Sequence, residues 1–222
     1  MNTFLKKIAW VIMTVPAVYL FFAWKNLPQK IAIHFDINGN ADGYGSKNEL
    51  LTGIGIITLV SVLVYLLLTY SYKLDRKKQA IENKDRLQRL AFTILVFMVV
   101  VSCTIIHASI TEGIRFNIRF LMGIMGFLWA VVGNYMYNIK PNYFAGFRIS
   151  WTLNNEDNWR KTHHVGGKVW FAGGLLLAIS SIFLPINILI ACFIAVIIVM
   201  ILVPFIYSYK LHKKHPSTGA AG

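Results

Sequence analysis

The chain has 222 residues, of which 56% are hydrophobic and only 14% charged, far from soluble proteins, where about a quarter of residues carry charge. That balance excludes a water-soluble globular domain and points to a protein embedded in a membrane. A formal net charge of +13 would suggest nucleic acid in a soluble domain. Here the positive charge collects between apolar runs, where lipid headgroups and membrane orientation call for it, so direct nucleic-acid binding is not expected.

Six apolar runs lie near residues 5–24, 50–71, 90–110, 119–138, 168–185 and 187–208. Each is long enough, or nearly so, to cross a hydrocarbon core of roughly 30 Å, which takes about 20 helical residues. The expected fold is an all-α integral membrane protein with six transmembrane helices. The first run ends in Phe21, Phe22 and Trp24 without a small-residue cleavage site, so it reads as a retained helix rather than a signal peptide. Pro16 and Pro204 are tolerable inside membrane helices, which they can kink. Leu184 to Asn187 offers too few polar residues for a loop and predicts a tight helical hairpin. Cys103 and Cys192 sit in apolar runs as small hydrophobes, so neither a disulfide framework nor a cofactor is expected.

Of the 22 Lys and Arg residues, 17 fall on one set of alternate sides, which predicts that both termini face the cytoplasm. The organisation expected is two helices in 1–72 with a structured extracellular loop over 25–49, and a cytoplasmic linker helix over 73–89. Four helices in 90–211 then carry a cytoplasmic motif segment at 133–168, and a disordered tail covers 212–222. The linker alternates charge, with Glu82 and Arg86 paired at i,i+4, and reads as a solvated helix that steers topology, or as a partner-binding or anionic-lipid face. Tyr70, Tyr72, Tyr207 and Tyr209 read as interfacial anchors.

In the outer loop, Gly39, Gly43 and Gly45 with Asn38, Asn40 and Asp42 predict successive tight turns. Asn38, Asn40, Asp42 and Glu49 follow the spacing of a calcium loop with Asn for the leading Asp, a weak candidate because two carboxylates are few for a divalent ion. His34, two residues before Asp36, reads as a turn-stabilising hydrogen-bond partner, since one His-x-Asp supplies too few ligands for zinc. No metal centre is therefore expected. His107 and Glu112 sit at the outer end of the third run, where an interfacial hydrogen bond competes with a proton relay. Glu112, Arg115 and Arg119 can pair at the outer surface.

The 133–168 segment is the longest polar interruption and concentrates Asn, Arg, Trp, Thr and His. Pro141 is expected to end the fourth helix, and the aromatic run from Tyr143 to Phe147 to lie along the membrane surface. Arg148, between Phe147 and Trp151, can hold a phosphate or carboxylate. Asn154 reads as a helix N-cap, with Glu156 and Asp157 in the first turn. Trp159, His163, Gly166 and Trp170 share a helical face, and Gly166, Gly167, Gly173 and Gly174 permit a close helix approach. Asn142, Arg148, Trp151, Thr152, Trp159 and His163 form either a binding surface or a set of membrane anchors. No nucleophile with a matching base is visible, and His163 and His164 point apart on a helix, so an enzyme is not expected.

The stretch GNYMYNIKPNYFAGFRISWTLNNEDNWRKTHHVGG resembles the signature of the SdpI family, bacterial membrane proteins that confer immunity to a secreted killing peptide. The outer segment LPQKIAIHFDINGNADGYGSK resembles the LPxxIxxHFxxxGxxDxxxxK loop of longer members, and the two motifs cover about 55 of 222 residues. This resemblance implies protection against an antimicrobial peptide toxin and a receptor role in which a cytoplasmic transcriptional repressor is held at the membrane. The matching positions are Gly133, Asn134, Asn142, Gly146, Arg148, Trp151, Thr152, Leu153, Trp159 and Thr162 inside, beside His163. Outside they are Pro28, His34, Phe35, Gly39, Asp42 and Lys47. Ile149-Ser150 stands where the pattern reads Thr-Pro, which frees the backbone before Trp151. Competing functions are a small transporter or exporter with His107 on its pathway, and a membrane enzyme or chaperone working through Arg148.

Overall fold

The computed structural model describes residues 3–74, 81–111 and 117–214. Glu112, Arg115, residues 75–80 of the linker and 215–222 of the tail lie outside them. The chain runs α1 (Thr3–Ala23), a 3-10 turn (Trp24–Asn26), β1 (Ile31–Phe35), β2 (Ala41–Gly45), α2 (Lys47–Leu74) and α3 (Lys84–Ile110). It continues through α4 (Ile118–Met136), the single turn α5 (Ser150–Leu153), α6 (Glu156–Phe183) and α7 (Ile186–Lys214). Among the described residues six helices are long and apolar enough to cross a membrane, as expected.

Two compact units emerge, the first comprising Met1–Leu67 and Ala91–Leu121. Its β1–β2 hairpin is antiparallel and two-stranded, a form only marginally stable alone in water. What orders it is its root: Leu27 and Ile31 are buried with Leu20, Ala23, Leu50, Ile54 and Ile106 at the ends of α1, α2 and α3. Helix α2 then starts from a capping box, in which Ser46 Oγ accepts from Glu49 N at 3.3 Å while the Glu49 carboxylate accepts from Ser46 N at 3.3 Å and from its hydroxyl at 3.0 Å.

The second unit comprises Leu68–Leu90 and Met122–Gly222. Residues 84–89, expected in a separate linker helix, are instead the opening turns of α3, which begins where Leu87 N donates to Asn83 O at 2.8 Å. Helices α4 and α6 pack antiparallel along a seam of small residues. A Cβ at Gly167 would stand 2.7 Å from Tyr137 Cα, one at Gly126 2.7 Å from Ala178 N, and one at Gly174 would strike Ala130 N. Lipid tails are as apolar as the helices, so close packing rather than hydrophobic burial holds such a pair.

The α6–α7 hairpin turns at Leu184–Pro185 as expected, with Leu184 N donating to Ser180 O and Leu189 N to Pro185 O, both at 2.9 Å. Pro204 inside α7 has no N–H for the carbonyl of Met200. The Trp170 indole of α6 supplies the missing donor, Nε1–H to Met200 O at 2.9 Å, so the proline defect becomes an interhelical bond. Helix α7 continues through Lys214, taking in residues 212–214 of the expected tail.

Gly174→Val is expected to destabilise the chain by about 1–3 kcal/mol through overpacking. Gly53→Ala, where an added methyl meets nothing within 4 Å, is expected to be neutral or slightly stabilising. Thermal unfolding of the two purified variants in detergent distinguishes them.

Candidate functional site in the connection between α4 and α6

Between Met136 and Ser150 the chain forms neither helix nor strand. Its backbone donors and acceptors therefore need side-chain partners. Asn83 brackets Lys140, accepting from its N–H and donating to its carbonyl, both at 2.9 Å. The Trp159 indole donates to Ile139 O at 2.8 Å. Asn142 donates to Lys140 O at 2.9 Å and accepts from the N–H groups of Phe144 and Ala145 at 2.8 Å, closing a turn on itself. Thr152 Oγ1 accepts from Ile149 N at 3.0 Å, and its hydroxyl lies 2.7 Å from Phe147 O and 2.8 Å from Ile149 O.

His163 completes the set. Its Nε2 accepts from Phe147 N–H at 2.8 Å, and its Nδ1 stands 2.8 Å from Trp159 O. A backbone N–H can only donate and a carbonyl can only accept, so the ring is the neutral Nδ1–H tautomer with both nitrogens occupied. It stacks on the Trp159 ring at 4.0 Å. Gly146 approaches it at φ 113°, and a Cβ there would strike Nε2, so this position requires glycine twice over. Phe147 then lies against Gly166, 5.5 Å from the His163 ring and 6.2 Å from the Trp170 ring. On the face shared by Trp159, His163, Gly166 and Trp170, the last three thus seat this one loop residue, and Trp159 backs the His163 ring.

A second cluster ties α5 and α6 to α7. The Trp151 indole donates to Ser208 Oγ at 2.9 Å, and Ser208 Oγ donates to Asn158 Oδ1 at 2.8 Å. Asn158 Nδ2 donates to Ser208 O at 3.0 Å, while Thr162 Oγ1 donates to Asn158 Oδ1 at 2.9 Å. Asn83, Asn158 and Ser208 were not among the residues picked from the sequence. Ser208 could have been, as a polar residue near the end of the apolar α7, and so could Asn158, four residues before Thr162. Asn83 could not, because nothing in the charged linker distinguishes it.

The picture corrects several expectations. The N-cap of α6 is Asn155, whose side chain accepts from Asn158 N at 2.9 Å; Asn154 instead closes α5 with helical backbone angles. Helix α4 ends at Met136, before Pro141, in a turn where Ile139 N donates to Met136 O. Of the six residues read as a surface, Asn142, Thr152, Trp159 and His163 are buried and Trp151 is half-buried. Arg148 is exposed and, among the described residues, in no ion pair; Asn134 is exposed as well. Ile149 has φ −95° and ψ 149°, extended as a residue before proline must be, and Ser150 opens α5. The Ile149-Ser150 departure therefore leaves the backbone in the shape that Thr-Pro would impose.

In the hairpin, His34 pairs with Asp42 across the strands rather than with Asp36. Asp36 closes the turn, accepting from Asn38 N at 2.9 Å and Asn40 N at 2.8 Å and from the Asn40 amide at 2.9 Å. These bonds, the Asn40 side chain foremost, hold its carboxyl below the usual 3.8. Its contribution to the turn is complete above that ordinary value and is lost as pH falls through the lowered one. Gly39 takes φ 82° at the tip. Lys47 Nζ donates to Trp24 O at 3.3 Å across the loop's base, and Pro28 and Phe35 are half-buried. The calcium-like spacing is realised differently: Asp42 serves His34 and Glu49 serves Ser46. Among the described residues no group of three or more His, Cys, Asp or Glu is placed to hold a metal. His107, in the last turn of α3, has Nδ1 3.3 Å from the Tyr19 hydroxyl.

Fold and site together define a polytopic helical membrane protein whose polar signature is a loop braced by side chains. Residues 138–208 match the SdpI/YfhL protein family, and residues 11–59 match a domain of unknown function, DUF1648. The chain is 24% identical over 192 residues to the immunity protein SdpI of Bacillus subtilis (strain 168), covering 86% of this chain and 87% of that protein. No solved structure matches it. Over its signature region the chain is thus similar to the SdpI/YfhL family, and over most of its length to one immunity protein.

His163→Ala leaves the Phe147 N–H unpaired and opens a void beside Trp159, and is expected to cost about 3 kcal/mol in thermal or denaturant unfolding. Ser150→Pro is expected to fold normally and to gain about 0.4–1 kcal/mol by restricting the unfolded chain.

Proposed function

We propose that this chain is a membrane immunity protein that protects a bacterial cell from a secreted antimicrobial peptide. The outer hairpin meets the peptide, and the Arg148 loop reports its arrival to a cytoplasmic repressor. The observation that carries the immunity reading is the similarity to immunity protein SdpI along nearly the whole of both chains. Sidedness rests on the excess of Lys and Arg in alternate connections. Two features support the division of labour. Ile33, Ile37 and Tyr44 are exposed on the hairpin, which offers apolar anchors to a peptide. Arg148 is exposed on a loop whose backbone is held on either side, at Phe147 and Ile149, and a guanidinium suits recognition of a protein carboxylate.

Expression in a peptide-sensitive bacterium, challenged with secreted peptides, tests both halves. The unaltered chain should confer resistance, and Ile33→Ser with Tyr44→Ser should weaken protection about tenfold without lowering membrane abundance. A photo-crosslinking residue at position 150, exposed beside an intact Arg148, should capture a cytosolic DNA-binding protein only in peptide-treated cells. No protection against any peptide that kills the parent strain would overturn the immunity reading. Protection without a crosslink would remove the signalling half alone.

A further inference from the structure

Beside the braced loop, the start of α3, the end of α4, the start of α6 and the end of α7 enclose an open cleft of about 960 Å³. Four cations, Arg86, Lys140, Arg160 and Lys161, and two carboxylates, Glu156 and Asp157, line it, which leaves the cleft net positive. Asp157 holds Arg160 at 2.8 Å and Lys161 at 2.6 Å, which positions both along one wall. Arg86 and Lys140 form no ion pair among the described residues. On the floor, the Tyr137 hydroxyl and His164 Nε2 are hydrogen-bonded at 2.9 Å. Ile139, Val165 and Tyr207 supply apolar wall.

The cleft's depth along the helices is as telling as its charge. Tyr137 follows the last residue of α4, Val165 precedes the glycine-rich apolar stretch of α6, and Tyr207 comes three residues before Lys210 in α7. All three helices pass from apolar to charged sequence at this level, which is where a bilayer places its headgroups.

We propose that this cleft binds the phosphate of an anionic phospholipid headgroup, Arg86 and Lys140 contacting the oxyanion and the apolar wall receiving the glycerol and upper acyl chain. The chemistry recognised is a phosphate oxyanion at the edge of an apolar groove. A zwitterionic headgroup brings its own ammonium into the cationic site, so an anionic lipid is favoured over phosphatidylcholine. The proposal stands independently of the immunity reading.

Native mass spectrometry of the full chain in detergent, titrated with phosphatidylglycerol, phosphatidylcholine and inorganic phosphate in separate arms, tests it. Phosphatidylglycerol should be retained in preference to phosphatidylcholine, and Arg86→Gln with Lys140→Gln should weaken that retention about tenfold or more. The bonds from Asn83 to Lys140 use only its backbone, so this pair should melt like the unaltered protein. Lys6→Gln with Lys7→Gln removes the same charge elsewhere and should change retention less than about twofold. Inorganic phosphate binding that depends on Arg86 and Lys140, without lipid preference, would keep the oxyanion site and replace its lipid source. Equal loss in both double variants, or no dependence on Arg86 and Lys140 in any arm, would overturn the site.

Discussion

The structure of the second unit turns on one requirement: the polar chain between α4 and α5 has no ladder of its own, so side chains must satisfy its backbone. Asn83, Asn142, Thr152, Trp159 and His163 do this between Ile139 and Ile149. An unpaired buried N–H or C=O costs roughly 1–3 kcal/mol. The concentration of Asn, Thr, Trp and His here therefore has a folding reason before any recognition role is invoked. His163 shows it most directly, because its two nitrogens are consumed by one donor and one acceptor of the main chain.

This brace depends in turn on how closely the helices beneath it pack. The glycine seam between α4 and α6 sets the separation at which Trp159 reaches Ile139. The bond from Trp170 to Met200 and the Asn158–Ser208 cluster fasten α6 to α7 at two levels. In a membrane, where apolar area alone gives helices little reason to associate, such packing and polar cross-links carry much of the specificity. A support of this kind fixes the backbone on either side of Arg148 and leaves its side chain exposed.

Brace and cleft share parts. Lys140 is fixed through its backbone by Asn83, yet its side chain lines the cleft; Trp159 carries the loop on one edge and contributes cleft wall. An occupant of the cleft would thus press on the same residues that hold Arg148 in position. The hairpin of the first unit follows a parallel logic, with Ile31 and Leu27 buried as its root and Ile33, Ile37 and Tyr44 left on its surface.

Hydropathy alone determined the six helices, because run length and apolar content are local properties that a bilayer of set thickness reads one segment at a time. The tight α6–α7 hairpin and the shared face of Trp159, His163, Gly166 and Trp170 were equally legible, since turn composition and helical periodicity are local too. The family signature read from the sequence overlaps the matched region, residues 138–208. What it did not disclose was that most of those polar side chains point inward, because composition distinguishes a polar surface from a braced loop only when the partner of each group is known. Those partners lie 57 residues away for Asn83 and Lys140, and 50 for Asn158 and Ser208. Only the tertiary structure could bring them together, and so only it separated Arg148, which is displayed, from Asn142, Thr152, Trp159 and His163, which hold it there.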